Sequence, residues 1–153
     1  MTQHSRDKSF AFLFDMAVVF EKFVGKMYQE IDSSTQLQKQ GNFGSLHLKP
    51  DIVTARQIID TKYKKVNSRS DVTTQDKYQM FAYGVNFKVK ETMLLYPKHL
   101  LDVDENLELG KGEDLIRLKM KSLDLGFDGG YDGGYDGYDG FLGEIKSRLE
   151  GMR

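Results

Sequence analysis

The chain has 153 residues, of which 39% are hydrophobic and 29% charged, a balance that suits one soluble globular domain around one core. A net charge of −1 excludes a wholesale polycation, so any affinity for nucleic acid must come from a local basic patch. The absence of cysteine excludes disulfides, iron–sulfur clusters and thiolate zinc sites. No apolar run approaches the roughly 20 residues that span a bilayer, and the polar start, Met1 to Ser9, lacks the apolar stretch of a signal peptide. These features predict a cytoplasmic protein with no membrane partner.

In chain order, the first predicted element is a long helix from Phe10 to Ile31, capped by Ser9. One apolar stripe follows Phe12, Met16, Val19, Phe20, Phe23, Met27 and Ile31. A second follows Phe10, Phe14, Val18, Val24 and Tyr28. Two stripes predict a mostly buried helix. Asp32 to Gly44 reads as a polar loop. Leu46, Leu48, Pro50 and Ile52 alternate with their neighbours through Val53 at strand period, and a second strand covers Gln57 to Lys64. Its residues Ile58, Asp60 and Lys62 face one way, and Ile59, Thr61 and Tyr63 the other. Lys64 to Asp71 is a basic polar loop, and Thr74 to Val85 a helix. Lys90 to Tyr96 is a strand stopped by Pro97. Lys98 to Glu113 reads as an acidic loop or insertion, and Asp114 to Leu125 as a further strand. The order of elements predicts an α/β or α+β sandwich with a central mixed sheet over residues 1–125. Residues 126–140 hold a Gly/Tyr/Asp repeat, FDGGYDGGYDGYDGF from Phe127 to Phe141, expected to be a linker. Residues 141–153 form a short amphipathic helix bearing Phe141, Leu142, Ile145 and Leu149.

The chemistry concentrates around Thr54 to Gln57. A hairpin centred on Ala55 and Arg56 pairs residues whose numbers sum to 111, which sets Asp51 opposite Asp60. Opposed residues have Cβ atoms about 4.5–5.5 Å apart, so the two carboxylates repel each other. A divalent cation between them reverses that sign. Lys62, two residues after Asp60, projects from the same face, where its ammonium can reach a phosphate or an attacking water. Ala-Arg is a poor two-residue turn, for which glycine or asparagine is expected. Glu21 lies within the apolar helix, where an unpartnered carboxylate is costly, and a metal or supporting role accounts for it.

Pro50-Asp51 followed by Asp60-Thr61-Lys62, with a preceding helical Glu21, resembles the PD-(D/E)xK nuclease superfamily. Gln79 and Tyr83, at i and i+4, resemble the QxxxY element of its RecB-like members. The segments FLFDMAVVFEKFV, LKPDIV, IIDTKYK and YQMFAYG are more closely similar to the nuclease subunits of 5-methylcytosine-dependent McrBC restriction systems. The resemblance covers roughly Phe10 to Leu125. It implies a PD-(D/E)xK restriction-endonuclease-like fold and Mg²⁺-dependent hydrolysis of phosphodiesters in double-stranded DNA, with Mn²⁺ as a substitute. Asp51, Asp60, the Thr61 backbone carbonyl and Glu21 are the implied ligands, Lys62 the catalytic cation, and Gln79 and Tyr83 supporting residues. It also implies an AAA+ GTPase motor subunit as partner, which finds methylated sites. Such subunits normally carry a further N-terminal region that engages the motor. The similarity here starts near residue 10, so the chain is expected to be a fragment or a truncated product.

Lys64, Lys65 and Arg69 are candidate DNA contacts, although a solvated loop explains them equally. His4, His47 and His99 have no metal-ligand spacing, and the repeat's Asp128, Asp132, Asp136 and Asp139 lack the spacing of a calcium loop. Two other functions fit the same residues. One is a non-catalytic module that binds or stimulates the motor ring; the other is an autonomous RecB-like exonuclease.

Overall fold

The computed structural model describes residues 14–127 and 135–153, with side chains from 137 onward in the second stretch. Helix α1 spans Met16–Ile31. Strands β1 (Gln36–Leu37), β2 (Gly41–Phe43), β3 (Leu46–Leu48), β4 (Ile52–Val53) and β5 (Gln57–Thr61) follow it. Helix α2 spans Thr74–Phe87; then come β6 (Glu91–Pro97), β7 (Asp104–Leu109), β8 (Ile116–Leu123) and helix α3 (Tyr135–Glu150).

Six strands form one mixed sheet in the order β1-β4-β5-β6-β8-β7, and β2 and β3 form a separate ribbon. The centre, β5-β6-β8, is parallel, while β4, β1 and β7 add antiparallel edges. Strands β5 and β6 are buried on both faces because helices cover both, as parallel strands require, whereas β8 sets Arg117, Lys119 and Lys121 along one of its faces. On one face Phe20, Val24, Met27 and Tyr28 of α1 and Ile145 and Leu149 of α3 bury Ile52, Ile59, Met93, Leu95 and Leu123. On the other, Met80 and Tyr83 of α2 cover Val53, Ile58, Leu94, Tyr96, Leu118 and Met120. The result is the predicted α/β sandwich.

Several local expectations are corrected. Among the described residues α1 begins at Met16, with Asp15 as its cap: the Asp15 carboxylate accepts from the Ala17 N–H at 3.0 Å. Ser9 and the helix start at Phe10 lie outside the described residues. The second apolar stripe is buried only in its later half. Phe14 is 70% exposed and Val18 41%, as are Met16 and Val19 of the first stripe to a similar degree, because the core meets only Phe20 and beyond. The strand expected from Leu46 to Val53 is two strands. Pro50, which has no N–H to donate, sits at the break, and the two halves pair with different partners. The polar stretch Asp32 to Gly44 contains β1 and β2. The acidic stretch after Lys98 contains β7, an edge strand whose alternate residues are exposed. The terminal helix starts six residues before the expected Phe141, at Tyr135, inside the Gly/Tyr/Asp repeat; residues 128–134 of the repeat lie outside the described residues.

Candidate active site

The hairpin register is the predicted one. Ile52 pairs with Ile59 and Val53 with Ile58, so each sum is 111 and Asp51 comes level with Asp60. The Ala55-Arg56 connection forms without left-handed backbone: Gln38 and Lys88 are the non-glycine residues with positive φ among those described. Thr54 supplies what the turn residues lack. Its N–H donates to the Gln57 carbonyl at 2.9 Å, and its hydroxyl accepts from the Gln57 N–H at 3.1 Å. The Ser34 hydroxyl accepts from the Ala55 N–H at 3.0 Å. Side-chain hydrogen bonds thus hold a turn that backbone preference alone disfavours.

Asp51 lies just ahead of β4, and its Oδ2 accepts from the Thr61 N–H at 2.8 Å and the Thr61 hydroxyl at 2.9 Å. Thr61 therefore turns its N–H toward Asp51. Its carbonyl points to the same side, since the N–H and C=O of one strand residue share a direction. Asp60 is 3% exposed. Burial, followed by the negative charge of Asp51, pushes its carboxyl up to about 6, against the opposing pull of Lys62. Lys62 Nζ lies 2.7 Å from Asp60 Oδ2, donates to Gln79 Oε1 at 2.9 Å, and is 3.7 Å from Asp76 Oδ1. Burial pulls the ammonium down, but Asp60, Asp76 and Asp51 outweigh it and raise Lys62 above the ordinary lysine range.

Helix α2 presents Gln79 and Tyr83 one turn apart. The Gln79 amide donates to Tyr83 Oη at 2.8 Å and to Asp60 Oδ1 at 3.4 Å. The Tyr83 hydroxyl donates to the Lys49 carbonyl at 3.3 Å. From the opposite layer, α1 brings Glu21. Its carboxyl is raised first by burial and then by Asp51, with Lys49 and Lys22 opposing. Glu21 does not meet Asp51 directly. The Gln38 amide donates to Glu21 Oε1 and, at 3.4 Å, to Asp51 Oδ1. Asp51, Asp60, Lys62, Gln79, Tyr83 and Glu21 are thus brought together at one end of the central strands. Lys65 and Arg69 are exposed in the following loop, while Lys64 is tied to Asp76 at 2.6 Å.

Two residues escaped the sequence reading. Gln38 sits in a stretch without periodicity and adopts a φ of 51°, which gave no signal. Asp76 did leave one: Thr73-x-x-Asp76 is a helix-start pattern, and the Thr73 hydroxyl accepts from the Asp76 N–H at 3.0 Å. Asp76 is buried. Although burial opposes its charge, its hydrogen bonds to Lys64 and Thr73 hold its carboxyl below the usual range.

The donors suit a hard cation. The charge of Asp51 adds to the cost of ionising buried Asp60, a penalty a divalent ion removes, and carboxylate and carbonyl oxygens are the ligands Mg²⁺ prefers. Among the described residues no group of three or more His, Cys, Asp and Glu side chains is gathered as a metal cluster, so the site would need the carbonyl or water to complete its coordination. A cavity of about 430 Å³ lined by Thr54, Arg56, Gln57, Glu91, Lys119 and Arg153 lies at the other end of the strands, where β5 and β6 begin. Its Glu91 is bonded to Lys119 at 3.0 Å and its Arg153 to Asp32 at 2.6 Å.

A six-stranded mixed sheet between helices, with Asp51, Asp60 and Lys62 at the exit of the β4–β5 hairpin, is consistent with the PD-(D/E)xK-like fold that the sequence resemblance implies. The family described as the McrBC 5-methylcytosine restriction system component matches residues 1–97, and the chain belongs to that family. Among solved structures the chain is similar to one in the refined half-complex from the tetradecameric assembly of Thermococcus gammatolerans McrB AAA+ hexamers with bound McrC. The TM-score is 0.61 at 13% identity, covering 90% of this chain and 34% of that one. The chain thus spans about a third of the length of its structural relative. No curated protein matches it. Among the described residues no helix is long and apolar enough to cross a membrane.

Proposed function

We propose that this chain carries the nuclease centre of a McrBC-type restriction system: a Mg²⁺-dependent endonuclease that hydrolyses phosphodiesters of double-stranded DNA and works with an AAA+ GTPase motor. The observation that carries the reading is the Asp51–Asp60 pair, held level by the hairpin with Lys62 on the same face. Family membership and the motor-bound structural relative support the partner.

Asp51, Asp60 and the Thr61 carbonyl would hold Mg²⁺, with Glu21 behind Gln38. A cation held there supplies Lewis acidity and neutralises charge on the phosphate. Asp51 is oriented for this by its two bonds from Thr61. Gln79 holds both Lys62 and Asp60, which fixes the spacing of ammonium and carboxylate. Tyr83 ties Gln79 to the Lys49 backbone. The raised Lys62 stays protonated at neutral pH. It therefore orients the attacking water and stabilises the negative charge that develops on the phosphate, rather than taking a proton.

Calorimetric titration with Mg²⁺ and Mn²⁺ tests the site without any requirement for turnover. The wild type should bind, and Asp51→Asn and Asp60→Asn should not. Equal binding by all three would remove both aspartates from the centre.

A further inference from the structure

The ribbon β2–β3 is built out of the candidate site. Its entering end is Gln38, whose amide bridges Glu21 and Asp51. Its leaving end is Lys49, whose carbonyl accepts from Tyr83, and Pro50-Asp51 follow at once. The strands pair Gly41 with Leu48, Asn42 with His47 and Phe43 with Leu46 around a two-residue turn, in which Gly44 has a φ of +63° and suits the first position of a hairpin turn. One face is seated on the body. Phe43 meets the Phe87 ring edge-on at 5.1 Å and Leu48 packs against the core under α2; Lys39 lies ahead of β2 at the ribbon's edge, its Nζ 5.9 Å from the Phe87 ring centroid, the outer limit of such a contact. The other face turns outward with Asn42 and His47 exposed; His47 Nδ1 and Asn42 Oδ1 are 2.6 Å apart. Since the Asn42 oxygen is taken up by His47, its NH₂ is left to donate.

The charge of this segment is unlike the rest of the chain. The protein carries 23 acidic residues, yet none lies between Asp32 and Asp51, where Lys39, Lys49 and His47 all occur. A two-stranded ribbon without carboxylates, polar at Asn42 and His47 on its outward face and fixed at both ends to the site, has the shape and the charge to lie along duplex DNA. Lysine, asparagine, glutamine and serine side chains are the usual donors to phosphate oxygens, and a β-ribbon fits the major groove.

We propose that the β2–β3 ribbon is the surface that holds the backbone of duplex DNA beside the carboxylates, with Lys39 and Lys49 on phosphates and Gln40, Asn42 and Ser45 donating between them. This rests on the nuclease reading and adds to it the direction from which the substrate reaches the site. It also gives His47, set aside in the sequence as a bystander, a place on the DNA-facing side.

The test is binding of a fluorescent duplex oligonucleotide by the full chain in EDTA, followed by anisotropy between 50 and 200 mM salt. Each phosphate contact contributes a slope of about 0.9 in log K against log salt. Lys39→Gln with Lys49→Gln should therefore lower the slope by about 1.8 and weaken binding at 50 mM salt by at least about tenfold. Lys26→Gln with Lys111→Gln, which removes the same charge elsewhere, should change neither quantity comparably, and thermal melts should show both variants folded. Unchanged slope and affinity in the ribbon variant, with wild-type binding intact, overturn the ribbon assignment and leave the nuclease reading standing. A loss confined to association with the GTPase motor, with DNA binding unaltered, overturns it in favour of a protein-docking face. A wild type that neither binds nor cuts DNA in any metal overturns the nuclease reading, and the ribbon assignment with it.

Discussion

Asp60 is the residue on which electrostatics and function meet most directly. Its folded carboxyl titrates near 6, above the ordinary aspartate value of 3.8, because burial and Asp51 disfavour its charge. In that window the native state keeps a proton that the unfolded chain has released, so protonation favours folding. Without metal, this contribution to stability is full below about pH 4 and is lost as pH rises through about 6. A two-unit displacement corresponds to about 3 kcal/mol. Asp60→Asn should therefore melt at the same temperature as the wild type or higher at pH 7.5, and the difference should close toward pH 4. A large loss at pH 7.5 would make Asp60 a structural ion-pair partner of Lys62 instead. With Mg²⁺ present the order reverses: the metal stabilises only the wild type, and that gain should fade as pH drops through 6 and protons compete for the carboxylate. Lys62→Ala removes a cation that the account places on the developing charge, and cleavage should fall by about 10²–10³ with the metal-induced melting shift preserved. Loss of that shift along with activity would mean that Lys62 organises the ligands rather than the reaction.

At the scale of elements, how legible the fold was depended on whether side-chain pattern alone decides the pairing. The β4–β5 register was readable because Ile52, Val53, Ile58 and Ile59 are each buried, and a one-residue slip would exchange their faces. The Ala55-Arg56 turn looked unfavourable since its support comes from Thr54 and from Ser34, a residue 21 positions away that no local rule includes. Edge strand β7 was hidden by its own acidity: Asp104, Asn106 and Glu108 are exposed, and carboxylates at an edge deter pairing with other chains. Strand β2 was read as part of the polar loop Asp32 to Gly44, in which glutamine and serine precede it, while β3 fell inside the strand expected from Leu46; Gly44-Ser45 was an available turn signal for pairing the two. Asp51, Asp60 and Lys62 followed from that register, and Gln79 and Tyr83 from a resemblance. Gln38 depends on a non-local fold and had no signal. Helix α2 also offers a packing test. A Cβ added at Gly84 would come within 2.7–2.9 Å of three side-chain atoms of Ile116, two of them close to its backbone. Gly84→Ala should therefore cost about 1–3 kcal/mol in urea denaturation. It should also displace Tyr83 and slow cleavage; a neutral or stabilising result would show that α2 can move away from β8 freely.

Across the whole molecule, the site stands where two layers meet over one end of the sheet, with Glu21 arriving from the α1 side and Gln79 and Tyr83 from α2. Its geometry therefore depends on both cores. Helix α3 completes the first core: Ile145 and Leu149 are fully buried, Phe141 stacks on Phe23 at 6.2 Å, and Lys146 pairs with Glu30 of α1. Ile145→Ala should cost about 2–5 kcal/mol, and ending the chain after Gly126 should cost more; chemical denaturation of the truncated chain with stability intact would detach α3 from the core. The central claim, hydrolysis at Asp51, Asp60 and Lys62, is tested most directly by cleavage of methylated duplex DNA. The chain is assayed with Mg²⁺, alone and with a GTPase motor of the family plus GTP, beside Asp60→Asn and Lys62→Ala. The wild type should cleave the strands in a reaction that EDTA abolishes and that neither variant reproduces at a comparable rate. Cleavage at equal rates by wild type and both variants, or cleavage undiminished in EDTA, would contradict that claim.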